Sequence, residues 1–246
     1  ALAQPSRHLG LVQAAERPDF EQFLNTAADA LASTLDRATL LAIAAPLPPA
    51  TTAPRLAPPA QVIAVAQDRA FGFAYPHMLA DWRAAGAEIR PFSPLANDPV
   101  PEAGFVFLPG GYPELHAGQL AANHIFMQSL KSAAHFSDIY GECGGYMVLG
   151  DGLIDAQGTQ HAMAGLLPLE TSFATRRLHL GYRTLTATQG PFPGTWAAHE
   201  FHYATTLRAD GPALFAAQDA EGTALPPMGL HLGRVSGSFA HLIDRA

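Results

Sequence analysis

Residues 44–60 read AAPLPPATTAPRLAPPA, six prolines in 17 residues, and no regular element can run through them. Proline lacks an amide donor and pushes the residue before it towards extended backbone, so an extended linker is expected here. The linker divides the 246 residues unequally, with a boundary placed near residue 59. Residues 1–58 look too few for a complete domain, whereas residues 59–246 can bury a sizeable core.

Ahead of the linker, residues 8–12 (HLGLV) form a short apolar run suited to a strand. Residues 19–35 carry Phe20, Phe23, Leu24, Ala27, Ala28 and Leu31 at helical spacing. Beyond the linker strand and helix alternate. Val62–Ala66 and Phe105–Leu108 are short apolar runs of the kind a parallel sheet buries on both faces, and Glu88–Phe92 is the strand between them. Helices are expected over residues 76–85, over most of residues 115–135, and from Tyr146 onward, with a strand end at residues 138–141. Residues 184–188 and 196–207 are more β-like. The pattern predicts an α/β fold with a mostly parallel sheet.

Composition removes several classes of function. Hydrophobic residues make up 48% and charged residues 14%, which excludes a disordered or fibrous chain. Apolar stretches such as residues 38–45 stop at proline well short of the ~20 residues a membrane span needs. No basic segment precedes an apolar core at the start of the sequence, so the expected location is the cytoplasm and no membrane partner is expected. The net charge of −7 and the absence of any basic run argue against nucleic acid. Lys131, the sole lysine, lies in a helical pattern, so the chain has no Gly-Lys-Ser/Thr phosphate loop. Cys143, the sole cysteine, rules out an internal disulfide and a multi-cysteine metal site.

That cysteine lies in Gly141-Glu142-Cys143-Gly144-Gly145-Tyr146-Met147, between a strand and a helix. Glycines at −2 and +2 suit a nucleophile on a sharp, strained turn, where neighbouring side chains would collide. The following helix aims free amides and its positive dipole end at the sulfur, which favours a reactive thiolate. Stripped of this context, a lone cysteine is more often a small buried hydrophobe. One strand–helix unit earlier, Leu108-Pro109-Gly110-Gly111-Tyr112-Pro113-Glu114 offers paired glycines whose amides can approach a substrate closely. The Gly144 amide would be a second donor of an oxyanion hole.

Eleven histidines compete to be the base. His199 and His202, in His-Glu-Phe-His-Tyr, lack the helical zinc spacing, and on a strand they face opposite sides, so no metal site is expected. His241, in Gly237-Ser238-Phe239-Ala240-His241, follows a Gly-Ser turn and precedes Asp244 by three residues. The residue pattern alone does not choose between them.

Taken together these motifs, with Arg7-His8-Leu9-Gly10-Leu11-Val12 and Leu180-Gly181-Tyr182-Arg183, resemble the amidotransferase domain of the cobyrinic and hydrogenobyrinic acid a,c-diamide synthases along nearly the whole chain. The resemblance implies a flavodoxin-like class I glutamine amidotransferase domain over residues 59–246. Residues 1–58 would then be the remnant of a preceding P-loop, ATP-binding synthetase domain. It implies that glutamine is hydrolysed at Cys143 through a glutamyl thioester, with His241 raising the sulfur's nucleophilicity. Gly110, Gly111 and Gly144 would bind the substrate and its oxyanion. In the complete enzyme the released ammonia would amidate the a and c carboxylates of a corrinoid, using ATP and Mg²⁺. No cofactor is expected in this chain, and a homodimer is one option for its assembly.

The chain departs from the family pattern in two places. The phosphate loop is absent, so this chain is expected to supply only the glutaminase half. Related domains also carry a glutamate two residues after the histidine, where Ile243 stands here. Asp244 or Glu200 would then orient His241, or the site would work as a dyad. Competing readings are a cobyric acid synthase-type domain, another cysteine hydrolase such as a peptidase or deglycase, and a silent binding domain. Arg176, Arg177, Tyr182 and Arg183 suit either corrin carboxylates or a solvated surface. Phe71, Phe73 and Tyr75 suit either an interdomain face or a core.

Overall fold

The computed structural model describes residues 2–49 and 56–246, and the chain separates into two compact units, Ala1–Pro54 and Arg55–Ala246. In the first unit the apolar run at residues 8–12 is not one strand. Gly10, at φ +125°, helps fold it into a hairpin of β1 (Ser6–Arg7) and β2 (Gly10–Leu11). Helix α1 (Phe20–Ala32) ends three residues before the sequence reading placed its end. The Ser33 and Thr34 hydroxyls turn back onto the Ala30 carbonyl and terminate it. Helix α2 (Arg37–Ile43), which the pattern did not suggest, starts where the Asp36 carboxylate accepts the Ala38 N–H at 2.9 Å. Residues 44–49 are neither helix nor strand, and residues 50–55 of the expected linker lie outside the described residues.

The second unit begins with β3 (Val62–Ala66), α3 (Pro76–Ala84), β4 (Glu88–Phe92) and β5 (Phe105–Leu108). It continues with α4 (Ala117–Ala122), α5 (His124–Ala133), β6 (Asp138–Glu142) and α6 (Gly144–Leu149). Period-two alternation divides the core. Ile63, Val65, Phe105 and Phe107 pack with Trp82, Phe192 and Trp196 on one side of the sheet. Ala64, Val106 and Leu108 pack with Phe126, Leu130 and Val148 on the other.

Three short strands follow, β7 (Gly152–Ile154), β8 (Gln160–Ala162) and β9 (Leu169–Ser172), and then the long hairpin β10 (His179–Ala187) and β11 (Gly194–His202). The chain closes with β12 (Thr205–Ala209), β13 (Phe215–Gln218), β14 (Ala224–Met228), β15 (Leu230–Leu232), β16 (Val235–Ser238) and β17 (Ala240–Arg245). The main sheet has the order β15-β16-β6-β5-β3-β4 and is parallel apart from β15. An antiparallel sheet, β14-β13-β10-β11-β17, and a smaller mixed sheet, β12-β9-β7-β8, complete the unit. The α/β fold with a mostly parallel sheet is therefore as the sequence implied.

One connection positions the functional residues. After pairing in parallel with β6, β16 passes through the single residue Phe239 into β17 of the antiparallel sheet. Ser238 stands opposite Glu142, and the Ser238 carbonyl accepts the Cys143 N–H at 2.8 Å. The start of β17 is thereby held against the end of β6.

Candidate active site

Cys143 lies between β6 and α6 with φ 49° and ψ −101°. With Asn97 it is one of two non-glycine residues at positive φ among the described residues, so the turn is strained as an elbow requires. The glycines around it allow close packing. A Cβ at Gly145 would come within 1.9 Å of the Leu108 carbonyl oxygen, which is how closely α6 is seated on β5. A Cβ at Gly111 would come within 2.1 Å of the Ala70 oxygen.

Around the buried sulfur the structure gathers Gly110, Gly111, Gly144 and His241. A Cβ on Gly110 would meet His241 Cε1 at 2.6 Å and the Cys143 Cβ at 3.3 Å, so this glycine borders the Cys–His pair directly. A Cβ on Gly144 would lie 3.1 Å from the Gly111 nitrogen, which brings the two predicted oxyanion donors together. Gly144 is the first residue of α6, where an amide has no intrahelical partner. The Gly111 N–H makes no backbone hydrogen bond among the described residues.

His241 is 4% exposed and lies between two groups. Its Nδ1 is 3.1 Å from Glu142 Oε1, and its Cε1–Nε2 edge lies with the Cys143 side chain against Gly110. Glu142 Oε1 has no hydrogen-bond partner among the described residues, so this contact is an ion pair. Burial pushes the imidazolium down in pKa, but Cys143 and then Glu142 outweigh it and hold His241 up at about 10. Glu142 is itself 1% exposed, and its Oε2 accepts the Leu242 N–H at 3.0 Å, which fixes the carboxylate.

Neither acid proposed from the sequence touches His241. Glu200 follows His199 on β11 and so faces the other side of the sheet. There it takes the Arg183 guanidinium at 2.7 Å and His202 Nε2 at 2.9 Å. Asp244 is exposed, and its Oδ1 accepts the Arg245 N–H at 2.7 Å. The acid beside the histidine is Glu142, the residue just before Cys143. The pairing with Glu200 also commits Arg183 within the sheet. Phe71 is a core residue, Phe73 packs edge-on against Tyr112, and Tyr75 reaches His199.

His179, Glu200 and His202 have ligand atoms close enough to suggest a metal ion. However, the two imidazoles are stacked at 4.5 Å with planes 2° apart, so one ion cannot lie in both ring planes. With Arg183 on the second carboxylate oxygen, the group is built as an ion-pair cluster.

A cysteine elbow, a buried histidine and carboxylate, and neighbouring glycines at the end of a parallel sheet fit an amidotransferase domain. Residues 62–245 match the model of the CobB/CobQ-like glutamine amidotransferase domain, and the chain belongs to that family. It is 54% identical over 254 residues to a hydrogenobyrinate a,c-diamide synthase from Sinorhizobium sp, covering 100% of this chain and 58% of that protein. Proteins of the same name from Brucella anthropi and Rhodobacter capsulatus are 50% and 49% identical. They align with 99% and 98% of this chain and with 58% and 57% of their own lengths. The chain therefore spans little more than half the length of these relatives.

Proposed function

We propose that this chain hydrolyses glutamine to glutamate and ammonia at Cys143. The observation that carries this reading is the buried row Cys143–His241–Glu142, set on a strained turn beside the Gly111 and Gly144 amides. His241 takes the thiol proton, and the sulfur attacks the side-chain amide carbon of glutamine. The Gly111 and Gly144 N–H groups stabilise the oxyanion, with Gly110 leaving room for the substrate. The imidazolium then protonates the departing ammonia, leaving a glutamyl thioester. Water, deprotonated by His241, attacks the thioester, releases glutamate and restores the thiol. Glu142 keeps the ring oriented and balances its charge at both steps.

The names of the relatives support a wider reading. The released ammonia amidates the a and c carboxylates of hydrogenobyrinic or cobyrinic acid. ATP and Mg²⁺ serve that step through a part of the protein outside this chain, of which residues 1–58 are the remaining edge. The shared name favours this over a cobyric acid synthase-type reaction.

The glutaminase reading is tested with 6-diazo-5-oxo-L-norleucine, a glutamine mimic that alkylates amidotransferase nucleophiles. Labelling is expected at Cys143 alone, with glutamine slowing it and asparagine leaving it unchanged. An unlabelled Cys143, or labelling indifferent to glutamine, would favour a silent binding domain.

A further inference from the structure

His241 is confined at its Nδ1 by Glu142, at its Cε1 edge by Gly110, and on one face by the flat ring of His199. His199 and His241 are register partners on β11 and β17, and their rings stack at 4.8 Å with planes 2° apart. Two imidazoles so close would repel if both were charged. Burial first, and then the charge on His241, hold His199 down at about 4, so His241 alone carries the proton. His199 is in turn fixed from another element. The Tyr75 hydroxyl, on the segment entering α3, hydrogen-bonds His199 Nε2. The Tyr75 ring also lies edge-on to both histidines, at 6.2 and 6.4 Å. Tyr75 keeps its proton, because burial and then the charges of Glu142 and Cys143 push it well above its ordinary range.

We infer that His199, locked by Tyr75, is a positioning residue for the glutaminase: its ring lies flat on His241 and keeps the two imidazole nitrogens aimed at Cys143 and Glu142. Such a clamp matters because the contact with Glu142 is an ion pair without a hydrogen bond, which does not by itself fix the rotation of a ring. The inference rests on the glutaminase reading only for its catalytic consequence; the clamp itself acts on the Cys143–His241 pair.

Because Cys143 is the sole cysteine, the ultraviolet absorbance of its thiolate, read against Cys143→Ala, reports that pair without any substrate. At neutral pH His199→Ala is expected to lose at least half of this absorbance and to lower kcat for glutamine roughly tenfold or more, with KM little changed. His199→Phe, which keeps a flat ring, is expected to recover most of both, and Tyr75→Phe to fall between. If His199→Ala lowers the thermal transition but leaves the thiolate and kcat intact, or if His199→Phe is as poor as His199→Ala, the inference is overturned. A rise confined to KM also overturns it, since that would make His199 a glutamine contact. Should the native chain release no glutamate while its thiolate still depends on His199, the glutaminase reading fails and the clamp stands.

Discussion

Cys143→Ala is expected to remove glutamate release down to the level of water, a loss of roughly 10⁴–10⁶-fold. No neighbouring group can substitute, because Cys143 is the chain's sole thiol and Gly111 and Gly144 lie together at its elbow. The fold should survive, since alanine is smaller than cysteine and the Cys143 N–H bond to Ser238 is made by the backbone. Cys143→Ser is expected to be nearly as inactive, because His241 is far less able to deprotonate a hydroxyl than a thiol. An enzymatic assay for glutamate, with circular dichroism as a check on folding, measures both. Retained release in either variant would move the chemistry away from this elbow.

Glu142→Gln is expected to lower glutamate release about 10⁴-fold, the scale seen when a buried carboxylate that orients a catalytic histidine is neutralised. The variant keeps the shape and the acceptor for Leu242 N–H but removes the charge 3.1 Å from His241 Nδ1. It also has a signature in stability. His241 rises from 6.5 to about 10 on folding, so the stability it contributes is fully present below about 6.5 and is lost as pH climbs through about 10. Glu142 is one of the groups that raises it, together with Cys143. In Glu142→Gln the alkaline loss of stability should therefore be smaller and be complete at a lower pH, as measured by denaturant unfolding across the pH range. By contrast, Asp244→Asn should leave both release and this profile unchanged, because Asp244 is exposed and bonded only to its neighbour's amide.

The contrast among these acids shows what could be read in the sequence. The strands Val62–Ala66 and Phe105–Leu108 were legible because burial on both faces leaves an unbroken apolar run. The elbow was legible because a strained turn between strand and helix demands local glycines. Helix α2 was not, since its Asp36 cap lies among short elements next to the prolines. The histidine was singled out only through resemblance, because its partnership with Cys143 depends on where β16 hands over to β17. The acid was misplaced for the same reason: proximity along the chain pointed to Asp244, and a histidine-rich motif pointed to Glu200. Yet the carboxylate that meets the ring is Glu142, brought to β17 by a contact between residues 100 apart. A carboxylate at the end of a buried parallel strand, beside a nucleophile, was the available signal. Burying a charge there requires a paired cation nearby.

The central claim is that Cys143 forms a covalent glutamyl thioester. The most direct measurement is intact-protein mass spectrometry of the chain mixed with glutamine and quenched in acid within the first turnover. The account predicts one added glutamyl group, mapped to Cys143, absent from Cys143→Ala and released by hydroxylamine. An adduct on any other residue, or steady glutamate release with no thioester at Cys143, would contradict it.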